Sequence, residues 1–284
     1  MNTLLETQLK RAKVAARLLK NMPTCTKNQA LDKIADALIA HSEEIIEANK
    51  KDMAHAKEVN MTKAMQDRLL FTHERIVGVS DGVKKVATLP DPIGEVMESW
   101  TRPNGLEISK VRVPIGVFGI IYEARPNVTV DIASLCLKSG NACVLRGGKE
   151  AIHTNKKLVE IMKDATKDIL PEGAIELITE LDHAIVGELI RANEYVDVIV
   201  PRGGAGLIQF VVKNATVPVI ETGAGICHLY VDKDADLNKA LTIAVNAKIQ
   251  RPSVCNAIET ILVHKDVADK FLPELKKAFE KVEI

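Results

Sequence analysis

Charge of either sign is not in surplus in this chain: 38 basic residues face 38 acidic ones over 284 positions. Nucleic-acid and membrane-surface binders usually carry a basic excess, so the balance argues against both partners. No apolar run approaches the length needed to cross a bilayer. Residues 1–10, MNTLLETQLK, lack the charged start and apolar core of a signal peptide. The five cysteines, Cys25, Cys136, Cys143, Cys227 and Cys255, are odd in number and contain no C-x-x-C pair. They fit neither a zinc site nor a disulfide framework, and a reducing cytoplasm is the expected location. The standard phosphate loops are missing as well, with no G-x-G-x-x-G and no G-x-x-x-x-G-K-[ST]. No internal repeat or low-complexity tract stands out.

What the chain does have is apolar content, 46%, enough for a large core and two domains. Residues 1–88 read as helices. Leu9, Ala12, Ala16 and Leu19 share one face at helical spacing. Pro23 separates that helix from the next, for which Thr26 and Gln29 form a capping box. Ile45, Ile46 and Met53 extend this second helix. The abundant Lys, Glu and Asp residues here form a solvated face, and no chemistry is assigned to the region. After the turn cluster 89–94, residues 106–113 alternate apolar and polar side chains. Within a segment of 100–113 they form either an oligomerisation strand pairing with a second subunit or an ordinary edge strand.

From Ile115 the pattern changes to strands alternating with helices. Strands are expected at 116–121, 142–145, 174–178, 196–200 and 218–220. Helices are expected at 128–138, 150–169, 184–192 and 205–212. Strands apolar throughout and spaced by amphipathic helices mean a parallel sheet covered on both faces, an α/β fold of Rossmann type. Such a sheet binds ligands at the carboxyl ends of its strands. The expected boundary follows this pattern: residues 1–220 as a dinucleotide domain, and 221–284 as the start of a second α/β domain. The second stretch is too small to build much core alone, and the sequence is expected to be incomplete.

At the strand ends stand residues suited to chemistry. Arg146-Gly147-Gly148-Lys149 follows the second strand and Pro201-Arg-Gly203-Gly204-Ala-Gly206 the fourth. Adjacent glycines let a phosphate reach backbone N–H groups, and a following helix adds the positive end of its dipole. Each loop taken singly is equally a tight turn. Two at equivalent strand ends favour a nucleotide, and a basic pair after the second strand suits the 2′-phosphate of NADP. Asn127, after Pro126 at a helix start, is either an N-cap or an amide donor to an oxyanion. Glu221, in Glu221-Thr-Gly223, is a general base or the partner of a helix end.

Residues 246–260 run from a helix through Pro252 to Cys255 and into a β-branched strand. A thiol in a turn at a strand start can meet a substrate, and Lys248 and Arg251 nearby favour its reactive thiolate form. The alternative is a small apolar core residue. Cys227 and His228 do not make a Cys–His pair, because neighbours on a strand point to opposite faces.

The order of these features resembles the aldehyde dehydrogenase superfamily. More closely, residues 119–129, 146–151, 201–206 and 249–257 resemble the gamma-glutamyl phosphate reductase family within it. The resemblance implies NADPH-dependent reduction of L-glutamyl 5-phosphate to L-glutamate 5-semialdehyde with release of phosphate, in proline biosynthesis. It implies Cys255 as nucleophile and Asn127 as oxyanion donor. Arg146, Gly147, Gly148, Lys149, Gly203, Gly204, Glu221 and Gly223 would bind the cofactor, with a base role for Glu221 left open. Arg125 and Arg251 flank the two catalytic positions and suit the substrate's phosphate or carboxylate. The implied partners are a second copy of the chain, as a homo-oligomer, and the glutamate kinase that supplies the labile acyl phosphate. No metal is implied. Two rival readings are a water-using aldehyde dehydrogenase of the same superfamily and a non-catalytic cofactor-binding fragment or oligomerisation module.

Overall fold

The computed structural model describes every residue except Met1, His183, Thr222, Ala224, Arg251, Ser253 and residues 281–284. The chain divides into two compact units, residues 1–222 and 223–284.

The first unit begins with helix α1 (Thr3–Leu19). Leu5, Leu9, Ala12, Ala16 and Leu19 recur every three or four residues, and all are buried. Asn2 starts the helix, its side chain accepting from the N–H groups of Leu4 and Leu5 at 2.8 and 3.3 Å. Helices α2 (Thr24–Ala40), α3 (Ser42–Glu58), α4 (Lys63–Leu69) and α5 (His73–Thr88) follow. Two expectations are corrected here. The capping box at Thr26 and Gln29 does not form, because α2 starts earlier, at Thr24, with Pro23 as N-cap and no side-chain cap. Pro23 fits there because it has no N–H to satisfy. Nor do Ile45 and Met53 extend α2: the chain breaks at His41 and α3 begins afresh.

Strands β1 (Val96–Thr101) and β2 (Glu107–Val111) form an antiparallel ribbon, with Trp100 opposite Ile108. Every ribbon residue except Ile108 is exposed.

The sheet that organises the unit contains β3 (Val117–Tyr122), β4 (Ala142–Gly147), β5 (Ile175–Leu177) and β6 (Val198–Arg202), all parallel, in the order β5-β4-β3-β6. Helix α6 (Asn127–Lys138) links β3 to β4. A 3₁₀ turn (Lys149–Ala151) and α7 (Ile152–Thr166) link β4 to β5, α8 (Ala184–Leu189) links β5 to β6, and α9 (Ala205–Asn214) follows β6. The expected fifth strand at 218–220 is reduced to a single bridge from Val219 to Ile199. Ile220 is exposed there, so the outermost segment has too little apolar cover to extend as a strand. Every β4 residue is buried, as a strand between two others under helices must be. Because β4 and β6 lie on opposite sides of β3, the strand order reverses at β3, and the loops after these three strands share the ligand-binding edge of the sheet.

The second unit contains β7 (Cys227–Val231), α10 (Leu237–Ile249), β8 (Ile258–Val263) and α11 (Lys265–Phe279). β7 and β8 pair in parallel, with a register shift just after Cys227. Val231, Ala240, Ala244, Phe271 and Leu275 form its small core. Asp236 caps α10 by accepting from the N–H groups of Asn238 and Lys239.

Candidate active site

In the first unit, the loop after β3 carries Glu123-Ala124-Arg125-Pro126 into α6, and two carboxylates brace it. Ala124 sits at φ +29°, a left-handed conformation that a Cβ disfavours. Its N–H donates to Glu150 Oε1 at 2.7 Å. Glu123 reaches across to the start of α9 and accepts from the Gly204 N–H at 2.8 Å. Behind the loop, the buried Tyr122 hydroxyl meets Thr129 Oγ1 at 2.7 Å, and Thr129 donates to Asn155 Oδ1 at 2.9 Å. Burial pushes the Tyr122 phenol well above its ordinary pKa, so it stays a neutral hydrogen-bonding group.

Asn127 is the first residue of α6, not its N-cap; Pro126 holds that place. The Asn127 amide nitrogen donates to Asp131 Oδ2 at 2.8 Å, one turn along the helix. Burial raises the pKa of Asp131 above the ordinary carboxylate value, against the lowering effect of the Asn127 bond. Arg125 is half-buried between the braced Ala124 and the buried Pro126.

The basic loop after β4 divides into a buried part and an exposed part. Arg146 lies inside, donating to the carbonyls of Gly147 at 3.0 Å and Leu181 at 3.2 Å. Lys149 is exposed. A Cβ at Gly147 would strike Asn155 and the Tyr122 ring, and one at Gly148 would strike the Glu150 carboxylate. At Gly147 the buried Asn155 and Tyr122 side chains give packing reason enough for glycine. The start of α7 already holds an anion: buried Asp52 of α3 accepts from the N–H groups of His153 and Thr154 at 3.1 and 2.8 Å. At the other loop, a Cβ on Gly203 would lie 2.6 Å from the Glu123 carboxylate. Gly203 and Gly204 are exposed, as is Glu221 at the end of this unit.

In the second unit, Cys255 is exposed in a turn closed by the Ala257 N–H donating to the Val254 carbonyl at 3.1 Å. Lys248 is committed to the Ile258 carbonyl at 3.0 Å. The Cys227 thiol donates to the Cys255 carbonyl at 3.6 Å. The neighbouring His228 ring instead bonds the Ile226 carbonyl at 2.7 Å, so Cys227 and His228 have separate partners. Gly223 is exposed. Arg251 lies outside the described residues, and its expected substrate contact has no structural description. Among the described residues, no cluster of three His, Cys, Asp or Glu side chains could hold a metal ion. No helix among them is long and apolar enough to cross a membrane.

Glu123, Glu150, Asp52 and Asp131 were not singled out by sequence reasoning. Glu123 and Glu150 lie within segments 119–129 and 146–151, next to Arg125, Asn127, Arg146 and Lys149, and that proximity is the signal the sequence offers.

A parallel sheet with a braced asparagine loop and a glycine-bounded helix start, followed by a unit that exposes a cysteine, is the architecture of a nicotinamide-dependent aldehyde dehydrogenase. The chain belongs to the aldehyde dehydrogenase family, whose model matches residues 3–284. Members of this family use nicotinamide cofactors and act on small molecules. Within it, the chain is 56% identical over 284 residues to the gamma-glutamyl phosphate reductase of Moorella thermoacetica, covering 99% of this chain and 68% of that one. It is 56% identical to the Clostridium novyi reductase, covering 96% and 66%. Among solved structures, the Thermotoga maritima gamma-glutamyl phosphate reductase superposes with a TM-score of 0.88 at 46% identity, over 98% of this chain and 67% of that one. The Saccharomyces cerevisiae reductase gives 0.73 at 34% identity, over 99% and 70%. The chain thus spans about two thirds of the length of the curated relatives it matches.

Proposed function

We propose that the chain carries the nucleophile and the cofactor loops of a gamma-glutamyl phosphate reductase, which reduces L-glutamyl 5-phosphate to L-glutamate 5-semialdehyde on the route to proline. The observation that carries this is an exposed thiol at Cys255 inside a match of 56% identity to reductases of that name. Thiolates attack acyl phosphates readily. Cys255 adds to the carbonyl, the Asn127 amide donates to the developing oxyanion, and phosphate departs to leave a thioester on the sulfur. Asn127 suits the task because Asp131 takes one amide hydrogen and leaves the other to be offered. Arg125 and Arg251 stand beside the two reacting positions in sequence and suit the substrate's phosphate and carboxylate. A dinucleotide held by the cofactor loops would supply the hydride needed to take the thioester to the aldehyde.

The loops fit a dinucleotide. The start of α9 already accommodates a carboxylate, so its N–H groups are aimed to receive an anion such as a pyrophosphate. The exposed ammonium of Lys149 favours NADPH through its 2′-phosphate, while buried Arg146 with Gly147 and Gly148 shapes the loop that presents it. Gly203, Gly204, Glu221 and Gly223 complete the cofactor-binding set. A base at Glu221 is not required, because an acyl phosphate needs no activated water. Residues 1–220 serve as the cofactor-binding domain and 221–284 as the start of the catalytic one. The exposed ribbon within 100–113 is the surface for pairing with a second copy. A cytoplasmic location and a partnership with the kinase that makes the labile acyl phosphate complete the reading.

The test runs the reaction in reverse: glutamate semialdehyde and NADP are mixed with the chain, and NADPH is followed with and without phosphate. Phosphate-dependent turnover that vanishes in Cys255→Ser supports the proposal. Turnover indifferent to phosphate would point to a water-using dehydrogenase and return the base role to Glu221.

A further inference from the structure

Cys227 lies 28 residues from Cys255 in sequence, yet its thiol donates to the Cys255 carbonyl at 3.6 Å. A carbonyl oxygen is about 2.4 Å from its own Cα, so the Cys227 sulfur lies within about 6 Å of the Cys255 Cα. The register of the parallel pair explains the approach. Cys227 is opposite Ile258, only three residues past Cys255, and the irregularity that follows falls on β8, where Glu259 is the extra residue between the partners of Cys227 and His228. Neither sulfur is sealed away: Cys255 is exposed and Cys227 half-buried. Among the described residues of this unit these are the only cysteines, since Cys25, Cys136 and Cys143 belong to the first unit.

We propose that Cys227 and Cys255 form a reversible modification site, with Cys227 as the resolving thiol for an oxidised Cys255. The oxidant is a hydroperoxide. The Cys255 thiolate attacks its terminal oxygen, the O–O bond breaks, and Cys255 becomes a sulfenic acid while alkoxide or hydroxide leaves. The Cys227 thiol, as thiolate, then attacks the Cys255 sulfur. An S–S bond forms, the S–O bond breaks, and hydroxide takes up the Cys227 proton to leave as water. A dithiol returns both cysteines to thiols by exchange and is itself oxidised to a disulfide. The device protects the Cys255 thiol, because a sulfenic acid left alone proceeds to the irreversible sulfinic acid. Side-chain rotation closes the gap, since the Cys227 sulfur already rests on the Cys255 backbone. The inference uses the geometry of the second unit alone and does not depend on the catalytic reading.

The experiment treats the full chain with one equivalent of hydrogen peroxide, blocks free thiols, digests, and reads the peptides by mass spectrometry. The expected product is a single-chain peptide pair joining Cys227 to Cys255, lost on dithiothreitol treatment and replaced by scrambled pairs when the chain is oxidised in urea. In Cys227→Ser and Cys227→Ala, each checked by circular dichroism for an intact fold, sulfinic acid at Cys255 should accumulate at least about fivefold faster than in wild type. The wild-type linkage is read without any substitution, so a misfolded variant does not remove the test. Equal rates of sulfinic acid formation with and without Cys227, or Cys255 linked to another partner or between chains, would overturn the proposal.

Discussion

The amide nitrogen of Asn127 donates to the carboxylate of Asp131 at 2.8 Å, one helical turn away on α6. The bond fixes which end of the amide faces outward. Without it the amide can flip and present its oxygen, which repels an oxyanion. Asp131→Ala should therefore lower kcat by about 10–100-fold, less than the 10²–10³ expected when an oxyanion donor is removed outright. KM should change little. Steady-state kinetics of the phosphate-dependent reverse reaction separates the two parameters.

The same carboxylate has a stability consequence. Burial raises its pKa in the fold, so the folded state holds its proton more tightly than the unfolded state does. Stability from this group is greatest below the ordinary carboxylate pKa and is lost as pH rises through the raised value. Asp131→Asn should then raise Tm at pH 7, with the gain shrinking as pH falls into the carboxylate range. Thermal unfolding at pH 7 and pH 4 checks the sign.

Asp91 and Lys27 pair at 2.5 Å, with Lys27 only 2% exposed. Burial alone would raise the Asp91 pKa, but hydrogen bonds from Lys27, the Ile93 N–H and Thr24 bring it below the ordinary value. Its stability contribution is thus present above the unfolded carboxylate pKa and lost as pH falls through the lower folded one. Asp91→Ala strands a buried ammonium and should cost about 3–5 kcal/mol, whereas Lys27→Met with Asp91→Leu should recover most of the loss. Chemical denaturation of both variants at pH 7 decides this.

Glu123 occupies the Gly204 N–H at the start of α9. If a dinucleotide phosphate uses that place, it must displace the carboxylate. Glu123→Ala should tighten NADPH binding by up to about tenfold, the worth of one hydrogen bond. Gly203→Ala would instead press on Glu123 and crowd the loop, weakening binding. Fluorescence titration of NADPH against the two variants should move Kd in opposite directions.

Gly147→Ala places a methyl against Asn155 and the Tyr122 ring. The methyl must push aside the Asn155 amide that ends the buried Tyr122–Thr129–Asn155 chain of hydrogen bonds, and about 1–3 kcal/mol of stability should be lost. Denaturant unfolding measures it.

The alternation of apolar strands and amphipathic helices made the parallel sheet legible, because buried strands must be apolar on both faces. The segment 218–220 looked the same to that test, yet it made only one bridge. Apolarity does not say how far a segment stays alongside its neighbour: Val219 meets Ile199 of β6, and the next residue, Ile220, is already exposed. Pro23 also misled: a proline can itself open a helix, and the capping box a few residues on was then redundant. At the site, Cys255 and Asn127 were visible because each occupies a marked place in a local motif. The groups that shape their surroundings act across long sequence distances. Glu150 braces Ala124 from 26 residues away, and Asp52 caps α7 from 101. Such pairings depend on how helices stack on the sheet, which no local pattern encodes.

Trp100 is the chain's single tryptophan, 41% exposed on the ribbon β1–β2, outside the buried cores. Its emission is therefore an optical reporter of the ribbon and not of the body of the protein. Unfolding followed by tryptophan fluorescence would miss most of what calorimetry sees. Burial of the ribbon against another surface would instead shift the emission to the blue with no change in the sheet at all.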